Sequence, residues 1–212
     1  GVEADSDGDG INGNGPNDTD PFDPCDYNQA DQVIANVTAE WNDLDCDGDG
    51  VTNGDEVTDG TDPQDPCDYM VGSVTGPQSS GWDLLDCDGD GVTNGQEVAD
   101  GTAPQDPCDF IFASQNTTPT AAWDALDCDG DGTPNGSDPD PLDPCVDDGT
   151  TGDEDTSNPV WQAADCDGDG ETNGVEDTNG TDPYDPCDVT VATIPSPSDP
   201  NYGVWAAADC DG

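Results

Sequence analysis

The 212-residue sequence contains no lysine, no arginine and no histidine, against 52 aspartates and glutamates, for a net charge of −52. That absence excludes much. Without cationic side chains there is no clamp for phosphate, so nucleic acid is not a partner. An anionic membrane surface repels the chain. Histidine, the commonest acid–base residue, is missing, and no constellation of reactive side chains stands apart from the repeat described below, so the sequence does not read as an enzyme. No apolar run approaches the ~18 residues of a membrane-spanning helix. Hydrophobic residues supply 30% of the chain, short of the ~45–50% usual in globular domains, and no large core follows. Like charges oppose compaction, and the chain holds no base to offset them. Metal cations are the candidate source of positive charge.

What is present is strictly periodic. Trp41, Trp82, Trp123, Trp161 and Trp205 recur at spacings of 41, 41, 38 and 44 residues, each five residues before a cysteine: Cys46, Cys87, Cys128, Cys166 and Cys210. A second set, Cys25, Cys67, Cys108, Cys145 and Cys187, ends the phrase "DPC". A period of this size marks a repeat array. The spacing sets full repeats at 25–66, 67–107, 108–144 and 145–186, with partial ones at 1–24 and 187–212. Within a unit, a β-leaning stretch such as "DYMVGSV", "DFIFAS" or "DVTVATI" predicts a short strand. A Ser or Thr then opens a one- or two-turn helix, with Thr38, Ser80 and Thr120 as N-caps. Trp41 and Leu44, and likewise Trp82 with Leu85 and Trp123 with Leu126, are spaced to share a helix face. Each tryptophan is read as a packing residue beneath its loop. The expected fold is a repeat array with little regular secondary structure: acidic loops, short helical turns and short β-strands, stapled by disulfides.

The phrase "DCDGDG" carries the chemistry. With Asp45 at position 1, Asp47 and Asp49 fall at 3 and 5, Gly50 at 6, Val51 at 7, Asn53 at 9 and Glu56 at 12. This is the oxygen-ligand pattern of a twelve-residue calcium loop, with the position-7 ligand a backbone carbonyl. Calcium takes six to eight hard oxygens, alternate residues of a tight loop can point inward together, and glycine lets the chain reverse. The pattern recurs at Asp86, Asp88, Asp90, Val92, Asn94 and Glu97; at Asp127, Asp129, Asp131, Thr133, Asn135 and Asp138; and at Asp165, Asp167, Asp169, Glu171, Asn173 and Glu176. The first copy keeps Asp5, Asp7 and Asp9 but has Pro16 at position 12, leaving Asp18 or Asp20 to complete it; Asp209 and Asp211 start a further copy. Because both ends fall inside a motif, the sequence reads as an excerpt of a longer array. Halophilic acidity would explain the charge but not the ligand spacing.

The stretch "DCDGDGVTNGDEVTDGTDPQDPCD" resembles a thrombospondin type 3 repeat, above all the bacterial form, and the likeness extends over nearly the whole chain. It implies calcium-binding loops strung along an extracellular chain, with the Asp, Asn and Glu residues above as ligands. It also implies a second ligand set, for which Asp62, Asp65 and Asp68 are candidates, weakened in the next repeat by Ala103. A true EF-hand is disfavoured, because "GDEVTDG" leaves barely one helical turn after the loop; a dockerin uses a pair of loops rather than an array.

Position 2 lies between ligands, so its cysteine is free to bond elsewhere. Zinc is a poor partner without His or CxxC, and regular cysteines in a core-poor chain imply disulfides and an oxidising compartment. Loop cysteines could join the following "DPC" cysteine or the preceding one. Ser6 decides: the first scheme leaves Cys25 without a thiol to meet, whereas the second pairs all ten as 25–46, 67–87, 108–128, 145–166 and 187–210. Sequons at Asn17, Asn36, Asn116, Asn135 and Asn179 are candidate glycan sites, Asn135 being better read as a loop residue. The expectation is an extracellular or cell-surface structural protein: a calcium-stabilised segment of a stalk, adhesin or self-assembling filament, self-associating or continuing into further repeats. A dockerin-like binding module and a calcium-storing or mineral-nucleating protein are the alternatives.

Overall fold

The structure, a computed structural model, describes residues 5–11, 20–146, 154–190, 202–208 and 210. Its α-helices are short: α1 (Ala39–Asn42), α2 (Asn53–Asp59), α3 (Asn94–Asp100), α4 (Pro159–Ala163), α5 (Asn173–Asn179) and α6 (Tyr202–Ala207). Single 3-10 turns precede or separate them at Gln29–Asp31, Ile34–Asn36, Val71–Ser73, Trp82–Leu84, Phe112–Ser114 and Trp123–Ala125. The described residues contain no strand, only an isolated bridge residue at Tyr27. The chain divides into two compact units, one of Gly1–Cys87, Val92–Gln105 and Phe110–Thr117, the other of Asp88–Gly91, Asp106–Asp109 and Thr118–Gly212. No described helix is long and apolar enough to cross a membrane.

The expected strands are replaced by turns for an identifiable reason. In "DYMVGSV" the backbone curls into the turn at Val71–Ser73, and the N–H groups of Thr75 and Gly76 donate to the carbonyl of Gly50, at 3.0 and 2.9 Å. The segment spends its hydrogen bonds on the acidic loop before it, not on a neighbouring strand. "DFIFAS" likewise holds a 3-10 turn, and most of "DVTVATI" lies outside the described residues.

Each turn-forming insert docks on the loop before it. Thr38 N–H donates to Gly8 O at 2.9 Å, Ser79 N–H to Gly48 O at 2.8 Å, Thr120 N–H to Gly89 O at 2.9 Å and Asp155 N–H to Gly130 O at 2.9 Å. Thr38, Ser79 and Thr120 also cap the tryptophan turns, whereas at Trp161 the cap is Asn158. Trp41 N–H donates to Thr38 Oγ1 at 3.2 Å and Trp123 N–H to Thr120 Oγ1 at 3.2 Å, as expected. In the second unit of sequence the cap is Ser79, not Ser80: Trp82 N–H donates to Ser79 Oγ at 3.1 Å. Contact with the preceding loop selects the cap, because a Cβ on Gly48 would stand 2.5 Å from Ser79 Oγ.

The apolar residues form small knots. Ile11, Tyr27 and Trp41 cluster with Val37 and Val57, and Val51, Tyr69 and Trp82 cluster with Val74. The Tyr27 and Trp41 rings meet edge-on at 5.9 Å, those of Tyr69 and Trp82 at 6.2 Å, a favoured aromatic geometry. Each knot joins the position-7 side chain of a loop to the tryptophan of the following repeat, confirming the packing role of Trp41 and Trp82. The leucines depart from expectation. Trp41 is fully buried while Leu44 is 36% exposed, because α1 ends at Asn42 and Leu44 has left the helix face. Its carbonyl accepts instead from Asn53 N–H at 2.7 Å and ties together the two ends of the acidic loop.

In three of the four full loops a helix starts at position 9 and runs only three residues past position 12, the single turn expected, while the loop at Asp127–Asp138 is followed by turns. In α2, seven residues run from the Thr52 cap, whose side chain accepts from Asp55 N–H, to Gly60 at φ 85°, whose N–H closes on Glu56 O. Asp55 and Glu56 in the first turn suit the positive end of the helix dipole. All five cysteine pairs form as Ser6 implied: 25–46, 67–87, 108–128, 145–166 and 187–210, with no free thiol among the described residues for zinc. A loop of this length is worth ~3 kcal/mol in the chain-entropy account.

Gly50 concentrates the backbone demands of the loop. Its φ is 92°, and a Cβ there would lie 2.9 Å from the carbonyl oxygen of Gly76. Gly50→Ala is expected to destabilise the calcium-loaded protein by ~1–3 kcal/mol, whereas Gly72→Ala, with nothing within 4 Å, stays within ~0.5 kcal/mol. Urea unfolding with both variants checks this; equal midpoints would contradict it.

Candidate metal centre

The loop at Asp45–Glu56 shows how alternate aspartates fold around a common point. Asp45 is the anchor: its Oδ1 accepts from Gly48 N–H at 2.7 Å and its Oδ2 from Gly50 N–H at 3.0 Å. Asp47 Oδ1 accepts from Asp49 N–H at 3.2 Å, and Asp49 Oδ1 from Val51 N–H at 2.7 Å. Both oxygens of Asp45 and one each of Asp47 and Asp49 thus hold the backbone in its turn, and ligand atoms of the three converge within 4.8 Å.

The remaining oxygens are the telling ones. Asp47 Oδ2, Asp49 Oδ2 and both carboxylate oxygens of Glu56 are buried without a hydrogen-bond partner, and Glu56 is fully buried. Burying an unsatisfied carboxylate is strongly unfavourable, so this set requires a proton or a cation. Glu56, in the first turn of α2, is carried back over the triad by that helix. Burial, reinforced by the charges of Asp47, Asp49, Asp45 and Asp62, pushes its carboxyl up to about 9. Burial and Asp49 raise Asp47 to about 7, and burial outweighs the Val51 hydrogen bond to raise Asp49 to about 6. Hard oxygens crowded this way, with no nitrogen or sulfur donor, suit a hard divalent cation.

The geometry recurs. At Asp165–Glu176, Gly168 and Gly170 N–H groups donate to Asp165 at 2.8 and 3.1 Å. Asp167 Oδ2, Asp169 Oδ2 and both Glu176 oxygens are buried and unpartnered. Burial and the nearby Asp167 raise Glu176 to about 8; burial raises Asp167 to about 6 and also raises Asp169. At Asp127–Asp138, Asp127 receives Gly130 and Gly132 N–H at 2.7 and 3.1 Å. Asp129 is raised to about 7 and Asp138 to about 6, again chiefly by burial. Asp138 is shorter than glutamate and commits Oδ1 to Asp140 N–H at 2.8 Å, so only its Oδ2 is left over. The triads Asp5, Asp7, Asp9 and Asp86, Asp88, Asp90 converge in the same way, and Glu97 is fully buried. Asp20 accepts from Phe22 N–H in a turn. Pro16, Asp18, Asp209 and Asp211 lie outside the described residues.

Position 9 plays a part that the spacing did not disclose. Asn53 Oδ1 accepts from Cys46 N–H at 3.1 Å, while Nδ2 donates to Trp41 O at 3.0 Å and Cys46 Sγ at 3.2 Å. Asn94 and Asn135 make the same three bonds. Asn173 bonds Cys166 N–H and Sγ. These asparagines brace loop, tryptophan turn and disulfide together. At position 7, Val51, Val92 and Thr133 bury their side chains, which leaves a carbonyl role compatible with packing. Glu171 directs its carboxylate to Thr190, accepting from its N–H and hydroxyl at 2.9 Å each. Asn135, buried and braced in this way, is closed to glycan; Asn36 and Asn116 are exposed.

The second ligand set does not assemble. Among the described residues the acidic groups gathered within reach of one ion are the five alternate-aspartate triads. Asp62 and Asp65 instead accept from Gln64 and Cys67 N–H at 3.0 and 3.1 Å, building the turns of "TDPQDPC".

Glu56→Gln keeps the size of the side chain but removes its charge. It is expected to weaken calcium binding at one site at least tenfold and leave the others unchanged in isothermal titration; an unaltered isotherm would contradict that role. In chelator, the raised carboxyls reverse the usual acid response. Each folded value exceeds its ordinary 3.8 or 4.5, so the folded state binds more protons, and stability falls as pH rises through 6 to 9. The chelated melting temperature is expected to drop from pH 5 to pH 9; a rise over that interval would contradict it.

No curated protein and no solved structure matches the chain. The bacterial TSP3 repeat matches residues 45–66, 86–107 and 165–186, each beginning on a position-1 aspartate. The loop at Asp127–Asp138, with its short position-12 residue, lies outside those matches. Loop geometry, buried carboxylates and these matches agree: the chain carries the bacterial TSP3 repeat at three positions, in acidic loops of the calcium-binding type set between disulfides.

Proposed function

We propose that the chain is a calcium-stabilised segment of an extracellular structural protein, the stalk of a surface adhesin or the body of a filament. The observation that carries this is the serial recurrence of one device. Buried carboxylate oxygens without hydrogen-bond partners recur in the loops at Asp45–Glu56, Asp127–Asp138 and Asp165–Glu176, and the loops at Gly8, Gly48, Gly89 and Gly130 are docked by their backbone to the insert that follows. Calcium at those loops fastens successive repeats, and the disulfides staple the stretches between. Asp45, Asp47, Asp49 and Glu56 would hold the ion in the first full loop, with the carbonyl of Val51 completing the set, and the equivalent residues elsewhere. Five disulfides support an oxidising, secreted setting. The repeats are calcium-binding rather than catalytic modules.

A storage or mineral-nucleating role is less well supported, because the carboxylates are prearranged by backbone hydrogen bonds rather than displayed on a solvated coil. Assembly by strand addition loses its basis, since the described stretches after "DPC" hold turns. Association through loop ends or further repeats remains the reading for a filament. Negative-stain electron microscopy with calcium and with chelator tests it. Uniform rods or filaments are expected in calcium and their loss in chelator; the same objects in both would contradict the reading.

A further inference from the structure

Among the complete acidic loops, the one at Asp127–Asp138 closes differently. The other three place a threonine, Thr52, Thr93 or Thr172, at position 8 as the N-cap of α2, α3 or α5, and that helix carries the position-12 glutamate. Here Pro134 stands at position 8 and Pro139 follows Asp138. A residue before proline is disfavoured in helical backbone, and the segment stays in turns. Asp138 N–H donates to Pro134 O at 3.1 Å and to Asn135 O at 3.3 Å. The chain runs seven residues from Asp138 to Cys145, against eleven from Glu56 to Cys67, Glu97 to Cys108 and Glu176 to Cys187. The difference is about one helical turn.

The consequence is one oxygen fewer. Glu56 and Glu176 each bring both carboxylate oxygens, buried and without a hydrogen-bond partner. Asp138 is a methylene shorter and spends Oδ1 on Asp140 N–H at 2.8 Å, so it brings only Oδ2. Position 9 does not make up the loss. Asn135 Oδ1 accepts from Cys128 N–H at 3.0 Å, and its Nδ2 donates to Trp123 O and Cys128 Sγ, each at 3.2 Å. The oxygens left to a cation are one each from Asp127, Asp129, Asp131, the Thr133 carbonyl and Asp138. The demand for a cation persists all the same. Asp129 is 1% exposed, and its Oδ2 is buried without a hydrogen-bond partner.

We infer that the Asp127–Asp138 loop is a site that takes magnesium in competition with calcium, while the glutamate-closed loops at Asp45–Glu56 and Asp165–Glu176 keep calcium. This rests on the reading of the acidic loops as calcium sites. Charge does not separate the loops: Asp127, Asp129, Asp131 and Asp138 carry the same charge as Asp45, Asp47, Asp49 and Glu56. Ligand number does. Calcium takes six to eight oxygens in flexible geometry, and a carboxylate that gives both oxygens suits it. Magnesium is smaller, takes six and holds on to water. The shorter oxygen set plus one water meets that number, whereas a two-oxygen glutamate crowds it. This loop is also the complete one begun by an alternate-aspartate triad that falls outside the TSP3 matches together with its short closing acid.

The test follows the position-6 glycine amides of the full, disulfide-intact chain in nitrogen–proton correlation spectra. Gly50, Gly132 and Gly170 N–H donate to the position-1 aspartates at 3.0, 3.1 and 3.1 Å, so each reports on its own loop. The calcium-loaded chain is titrated with magnesium chloride at fixed free calcium. The Gly132 signal is expected to move saturably to a new position at a magnesium concentration roughly tenfold or more below that needed at Gly50 or Gly170. Asp138→Glu should raise the magnesium needed at Gly132. Glu56→Asp, made separately in a loop with its helix intact, should lower the magnesium needed at Gly50 and leave Gly170 unchanged. If all three signals respond to calcium but magnesium displaces it no more readily at Gly132 than at the other two, the inference is overturned and the calcium reading stands. Both variants titrating like the parent would overturn it as well. Gly50 and Gly170 signals indifferent to calcium would overturn the calcium reading and this inference together.

Discussion

The structure depends on one constraint: carboxylates are buried in a chain that holds no base. Glu56 and Glu176 are closed off from water with four oxygens between them lacking partners. In most proteins an arginine or lysine would stand opposite. Here none exists anywhere in the sequence, so the neutralising charge comes from outside or the groups stay protonated. The disulfides limit the unfolded chain and the Asp45-type anchor turns each loop, which leaves the buried carboxylates to be neutralised by a cation or a proton.

From that constraint the remaining features follow. The loops are tight because Asp45, Asp47 and Asp49 each turn an oxygen back on the backbone, which also aims the second oxygen of Asp47 and Asp49 inward. The helices are short because α2 serves to carry Glu56 over the triad and Gly60 then ends it. The core is small because three side chains, such as Val51, Tyr69 and Trp82, suffice to cover one loop. Asn53 joins the parts, touching the disulfide cysteine, the tryptophan turn and the loop with a single amide.

Much of this was legible in the sequence. The alternate aspartates, the acid at position 12, the tryptophan packing and the disulfide pairing could all be read, because each is a local or counting property of the repeat. The pairing rested on Ser6 alone, and it held. Features set by contact between successive repeats were not legible. "DYMVGSV" has the composition of a strand, but its amides meet the Gly50 carbonyl, which no propensity encodes. Ser79 rather than Ser80 caps the Trp82 turn because Gly48 lies beneath it. Asn53 was read as a ligand because position 9 is one in the general pattern; its bonds to Cys46 and Trp41 appear only once the loop is closed.

The central claim is that cations, more than apolar burial, hold the repeats compact. The most direct measurement is the hydrodynamic radius of the disulfide-intact chain at neutral pH, first in saturating calcium and then in excess chelator. The account predicts a large, reversible expansion on chelation with all five disulfides retained. An unchanged radius would show that the buried carboxylates are satisfied without a metal, and would contradict it.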